Sequence, residues 1–213
     1  DVFAAAAQRP GARPLGCLQA ALVIHNDAEN WLTRQFALEY RVLFQRLLPK
    51  LAELGLPVPL GGTSNHFPLE VLLATGGWDA FNVTEDADLG LRLARLGYEA
   101  RMLASTTWEE APLDLANWLP QRRRWMKGWM QTLCVLLRKP RLLIRELGIG
   151  RSLAVVMLLA GGADGKGPLI MATNGSPYRA FLEGRIKDQS FLLLLHLSNM
   201  ELKRPVAKNK ETG

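Results

Sequence analysis

Three clusters in this chain carry residue types that can do chemistry. The first is Thr84-Glu85-Asp86 with Asp88. Carboxylates in a helix's first turn lie near its positive end, which favours the ionised form and lowers the pKa. A carboxylate held so at a cleft edge can act as a general base. The same residues also suit plain helix capping. Asp86-Ala87-Asp88 has the spacing of a divalent-metal pair, a spacing common by chance. The second cluster is Gln121-Arg122-Arg123-Arg124-Trp125, followed by Lys127 and Trp129. Arginine forks match phosphate oxygens, and a helix N-terminus adds free N–H groups for the same anion. A Trp face suits a sugar ring. A solvated basic face over two core tryptophans reads equally from this pattern, and so does a single-strand nucleic-acid binder. The third cluster is Gly61-Gly62-Thr63-Ser64-Asn65-His66-Phe67. Small residues let a backbone approach a ligand closely, or simply make a turn before a helix. The Gly-Lys-Ser/Thr ending of a phosphate-binding loop is absent, and His66 reads as structural. Glu109 and Glu110 could suggest a glycosidase's carboxylate pair, but adjacent residues seldom converge on one bond.

These clusters need elements to position them. Leu18 to Ile24 reads as a buried strand. A turn at residues 26–30 caps a helix from Trp31, and Gly55, Pro57 and Pro59 end its stripe. A short helix fits Pro68 to Ala74, closed by Gly76-Gly77. Asn82 or Thr84 caps the next helix, with Leu89, Leu93 and Leu96 as its core stripe and Arg92 and Arg95 pointing away. Gly97 stops it, and Glu99 to Leu103 reads as a strand. Pro120 then starts a helix from Gln121 to about Leu137. Residues 161–190 are rich in Gly, Lys and Asp, and the polar end from Lys203 reads as disordered.

The chain has 213 residues, 48% of them hydrophobic, enough for one domain with a sizeable core. Its +6 charge points to an anionic partner without choosing nucleic acid, lipid or phosphorylated substrate. Cys17 and Cys134 sit in apolar stretches without metal-ligand spacing and read as buried free thiols. No apolar run reaches the roughly 18–20 residues of a membrane span. Asn82-Val83-Thr84 and Asn174-Gly175-Ser176 fit the glycosylation sequon, but no secretory signal precedes them. The opening Asp1 suggests a start inside a longer reading frame.

In order along the chain stand Gly-Gly-Thr-Ser-Asn-His-Phe (61–67), Gly-Gly-Trp-Asp (76–79), Asn-Val-Thr-Glu-Asp-Ala-Asp-Leu-Gly (82–90), Glu-Glu-Ala-Pro (109–112) and Gln-Arg-Arg-Arg-Trp (121–125). From about Leu15 to Gly150 this order resembles the second half of processive-type family 2 glycosyltransferases. Cellulose synthase-like enzymes share the Thr-Glu-Asp and Gln-x-x-Arg-Trp elements. The nearest likeness is to the bacteriophage N4 adsorption protein B type of bacterial inner-membrane transferases.

The resemblance implies an α/β, Rossmann-like GT-A fold, here partial and lacking its N-terminal nucleotide-binding half. Residues 1–150 would be the acceptor-side half, and 151–213 a truncated membrane-proximal segment with an unrelated polar tail. Thr84 and Glu85 would flank Asp86, the base that deprotonates the acceptor for inverting transfer. Gln121, Arg124 and Trp125 would hold the diphosphate and the acceptor sugar, and Gly62, Thr63 and Ser64 would border the cleft. The donor would be a nucleotide sugar, UDP-linked, and the acceptor a glycan or a lipid-linked sugar. The intact enzyme would need Mg²⁺ or Mn²⁺. The family's metal-binding Asp-x-Asp has no counterpart here, so this chain by itself is expected to be inactive. The implied location is the bacterial inner membrane, catalytic side to the cytoplasm, with the membrane surface as a partner and nucleic acid excluded. A non-catalytic glycan- or membrane-binding remnant is the alternative.

Overall fold

The computed structural model describes residues 13–163, and the expectations for the chain's first residues and for its polar end lie outside them. Strand β1 (Leu15–Ile24) is the middle of a three-stranded sheet ordered β2-β1-β3. β2 (Asn65–His66) pairs antiparallel with it, and β3 (Glu99–Glu109) pairs parallel. Flanked on both sides, β1 is apolar almost throughout, as central strands are.

Both longer strands exceed their expected spans. β1 starts at Leu15, which faces Glu99, and the Glu99 N–H donates to the Pro14 carbonyl at 3.0 Å. β3 runs on through Thr106, Thr107 and Trp108, which pair with Ala21 to Val23 after a register shift between Ala20 and Ala21. β-branched and aromatic residues suit a half-exposed strand, and that signal lay in the sequence.

Helix α1 (Trp31–Val42) begins at a capping box. The Asn30 side chain accepts from the Thr33 N–H at 3.0 Å, and the Thr33 hydroxyl accepts from the Asn30 N–H at 3.1 Å. A π-helical turn (Leu43–Leu47) leads into α2 (Leu48–Glu53). Phe44, Leu48, Leu51, Val58 and Leu60 pack there with Cys17 and Leu22 of β1.

Helix α3 (Leu69–Ala74) ends at Gly76 and Gly77, whose φ values of 79° and 67° only glycine adopts freely. This turn is tied to α4 (Glu85–Arg95) by Arg92, which donates to the Thr75 and Gly77 carbonyls at 2.6 and 2.7 Å and to Asp88 at 2.7 Å. Arg92 therefore faces the α3 turn rather than solvent. Of the expected α4 stripe, Leu89 and Leu93 are buried but Leu96 is 55% exposed. Leu91 and Ala94 instead join a second core with α5 (Leu115–Leu137), α6 (Pro140–Leu147) and α7 (Ile149–Ala163).

Helix α5 starts at Leu115 rather than at Pro120. Asp114 caps it, accepting from the Asn117 N–H at 2.8 Å, and Pro120 lies inside the helix. Proline removes one i→i−4 bond, and the exposed Ala116 carbonyl it leaves can bond water. α7 packs through Val155 and Leu159, 1% and 0% exposed, on α4, α5 and α6. Among the described residues no helix is long and apolar enough to cross a membrane.

The thiols differ from expectation. Cys17 is fully buried, and burial pushes its pKa up to about 12, whereas Cys134 is exposed on α5. A maleimide should therefore label one thiol per folded chain and two after denaturation. Two equivalents on the folded chain would contradict this packing.

Candidate functional site

The site forms where the Gly62 loop, the start of α4 and the face of α5 meet. Gln19, wholly buried in β1, holds the loop from below. Its side-chain oxygen accepts from the Gly61 N–H at 2.8 Å, and its amide donates to the Thr63 carbonyl at 2.9 Å. Ser64 turns the chain with φ 57°, a left-handed conformation for a non-glycine residue. Its carbonyl accepts from the Ala20 N–H, and its hydroxyl meets that of Thr107 at 2.5 Å. The Thr63 hydroxyl donates to Glu109 at 2.9 Å. Glu109 also acts on Tyr40; burial first, then this carboxylate, raises the phenol above its ordinary range.

This seating brings Gly62 against the Asp86 carboxylate. A Cβ on Gly62 would stand 3.3 Å from Asp86 Oδ2, so a side chain there would crowd the carboxylate. Asp86 Oδ1 accepts from the Ala87 N–H at 2.7 Å. The helix start was expected to lower the Asp86 pKa. Burial instead raises it to about 6, overriding the Ala87 bond, and neighbouring Glu85 adds to the rise. Desolvation of a carboxylate outweighs one N–H bond and a helix dipole here.

A raised folded pKa means that ionised Asp86 destabilises the fold. Its contribution to stability is full below the unfolded value near 4 and is lost as pH rises through about 6. Asp86→Asn should thus stabilise the protein by about 1–3 kcal/mol at pH 7.5, the low end reflecting partial solvent screening. At pH 4 the gain should vanish. Urea denaturation at both pH values checks this, and equal gains at both would rule out a desolvated carboxylate.

Thr84 occupies the α4 N-cap position but makes no capping bond. Its N–H and hydroxyl donate instead to Asn82 Oδ1 at 3.1 and 3.3 Å, and Asn82 donates to Thr132 of α5 at 2.9 Å. Against Thr84 lies Gly128, where a Cβ would come within 2.4 Å of the Thr84 hydroxyl oxygen. Gln131 adds a bond to the Phe81 carbonyl at 3.0 Å. The middle of α5 is thereby fixed on the start of α4.

Asn117, Gln121, Arg124 and Gly128 recur at helical spacing, so they share one stripe of α5. Gln121 and Arg124 line a groove of about 590 Å³ whose other wall is Glu110 to Asp114. That wall is pinned to β1 by Asn26, which exchanges two bonds with Ala111 at 3.0 and 2.8 Å. Asp86 does not line this groove; Thr84 and Gly128 connect the two parts. Arg124 is exposed, while Gln121 Oε1 is buried without a hydrogen-bond partner. Trp125 is half-buried, 6.1 Å from Phe36 ring to ring. Glu39, Gln19 and Asn26 are further polar residues of the site that the sequence pattern did not single out, and Glu109, set aside above as half of a glycosidase pair, joins them. A glutamine and an asparagine beside an otherwise apolar strand were the available signal.

Among the described residues no group of three or more His, Cys, Asp or Glu side chains could hold a metal ion. Asp88 is engaged by Arg92 at 2.7 Å, so Asp86-Ala87-Asp88 does not form a cation site. Among the described residues these carboxylates do not fit a divalent metal.

A family model described as "Glycosyl transferase family group 2" matches residues 2–197. The "Probable glycosyltransferase YdaM" of Bacillus subtilis (strain 168) is 37% identical over 68 residues, 32% of this chain and 16% of that protein. The "Beta-monoglucosyldiacylglycerol synthase" of Synechocystis sp. (strain ATCC 27184 / PCC 6803 / Kazusa) is 31% identical over 122 residues, 54% of this chain and 24% of that protein. The matches span less than a quarter of the length of either relative.

Proposed function

Because the chain belongs to glycosyl transferase family group 2, we propose that it is the acceptor-side part of an inverting transferase with Asp86 as base. The observation that carries this reading is the Asp86 carboxylate, desolvated at a helix start with Gly62 against it. A base with a pKa of about 6 is largely ionised at neutral pH yet basic enough to accept a hydroxyl proton as bonding develops. The acceptor oxygen forms its bond to the anomeric carbon as the nucleoside diphosphate leaves from the opposite face. The hydroxyl proton passes to Asp86, and the configuration inverts.

Gln121 and Arg124 then take the ligand side of the groove. Gln121 lines the groove, where its side-chain amide can exchange bonds with sugar hydroxyls. Arg124 takes the diphosphate, while Trp125, packed inward against Arg122 and Phe36, backs this stripe from behind. The donor is a UDP-sugar. A relative named for making beta-monoglucosyldiacylglycerol favours a lipid acceptor over a free glycan. Arg138, Lys139, Arg141 and Arg145 are exposed around α6, beside exposed Ile144, Ile149 and Leu153. Such a basic and apolar corner suits the anionic cytoplasmic face of a bacterial inner membrane.

The test is sugar release from UDP-sugars by the native gene product, with Mg²⁺ or Mn²⁺ and lipid acceptors. Transfer supports the reading; glycan or vesicle binding with no turnover under any donor would support the binding-only alternative. In the same assay Arg124→Lys should weaken UDP affinity about tenfold or more through loss of the forked contact. Unchanged affinity by calorimetry would remove Arg124 from the diphosphate site.

A further inference from the structure

Of three consecutive arginines, Arg123 and Arg124 are exposed and Arg122 is turned inward. Its side chain is 15% exposed and pairs with Glu39 of α1, whose side chain is 4% exposed. Trp118, Arg122 and Trp125 stand at i, i+4 and i+7, one ladder along α5. The Arg122 guanidinium carbon lies 5.1 Å from the ring centroids of both Trp118 and Trp125, and 5.2 Å from that of Phe36. The cation is enclosed by three rings and one carboxylate. It is not available to a phosphate, and it differs in this from its two neighbours.

We infer that Glu39 and Arg122 are a buried positioning pair that sets the rotation of α5 about its axis, and so aims Gln121 and Arg124 into the groove. Residues 118, 122 and 125 form the inner stripe of the helix, and 117, 121 and 124 the groove stripe. Rotation of one stripe moves the other by the same angle. Further along the helix, Gly128 fixes its distance from Thr84. Pro120 interrupts the backbone ladder between the inner stripe's first two residues, where the helix alone holds its register least well. A charge pair costs more to bury than well-packed apolar side chains of equal volume, so its presence fits a role in geometry rather than in stability. What the pair aims rests on the transferase reading above; the pair itself does not.

The experiment uses the native gene product with Glu39→Gln, Arg122→Met and the double variant Glu39→Met/Arg122→Met. Either single change leaves a buried polar group without its partner and should lower the Tm. The double change removes both charges and should return the Tm to near the parent value. Stability alone would then restore activity. Positioning predicts otherwise: kcat stays at least tenfold below the parent even at saturating donor, and donor KM rises, because Arg124 no longer meets the diphosphate squarely. Amide exchange across residues 118–125 should also rise in the double variant, with β1 and α4 unchanged. A double variant that recovers Tm, kcat and amide protection together would overturn the inference. If the parent protein transfers no sugar, the transferase reading falls and exchange decides alone. Unchanged protection across 118–125 would then overturn the positioning role.

Discussion

Asp86→Asn should lower sugar transfer by the native gene product by about 10²–10⁴-fold, the usual contribution of a positioned general base. UDP-sugar affinity should change little, because the carboxylate acts on the acceptor proton. Asparagine preserves the shape of the side chain and can still accept from the Ala87 N–H that Asp86 uses now. The loss would therefore be one of basicity. The same substitution should stabilise the fold at pH 7.5. A variant that is at once more stable and nearly inactive separates a catalytic role from a structural one, as sites that hold a strained or desolvated group commonly behave.

The pH profile of the unaltered enzyme provides the companion test. With Asp86 near 6, kcat should rise about tenfold per pH unit below 6 and level off above 7. An ordinary exposed aspartate would place that limb near 4. A flat profile between pH 5 and 7, or full activity in Asp86→Asn, would remove Asp86 from the reaction.

Much of this site was legible because it is local. Asn30 and Thr33, three residues apart, write their own capping box. Gly97 ends α4, and Thr84-Glu85-Asp86 announces the start of that helix. Non-local pairing was far less visible. Glu39 meets Arg122 across 83 residues, and Asn26 meets Ala111 across 85. No periodicity in a single sequence reports such distances. The misreadings share this cause. The helix alone would acidify Asp86, but the carboxylate is buried, with the Gly62 loop brought against it from far outside α4. The start of α5 was assigned to Pro120 because proline favours a first turn, whereas the Asp114 cap had already begun the helix. Cys134 lies in an apolar stretch, yet it sits on an exposed face of α5 while Thr132 and Leu136 face inward. Helix direction, set by packing, decides which apolar residues are buried.

The close approach of α5 to α4 leads to the second large effect. Gly128→Ala would place a methyl group 2.4 Å from the Thr84 hydroxyl oxygen and 2.5 Å from its methyl carbon. Thr84 cannot swing aside easily, because it is buried, β-branched and bonded to Asn82. The helix must move instead, which should cost about 1–3 kcal/mol by overpacking. Gly150→Ala on α7 is the control: nothing lies within 4 Å of that Cβ, and alanine in place of glycine in a helix should gain roughly 0.5–1 kcal/mol. Urea denaturation of both variants reads the opposite signs. Activity carries the sharper prediction. Arg124 precedes Gly128 by one turn, about 6 Å along the axis, so displacement at Gly128 carries Arg124 away from the Asp86 side of the site. Such small misplacements of binding groups can cost about 100-fold in rate. Gly128→Ala should therefore lose transfer well below the temperature at which it unfolds, with helix content by circular dichroism unchanged. Full transfer in a folded Gly128→Ala protein would mean that the contact between Thr84 and Gly128 does not set the distance between base and diphosphate site.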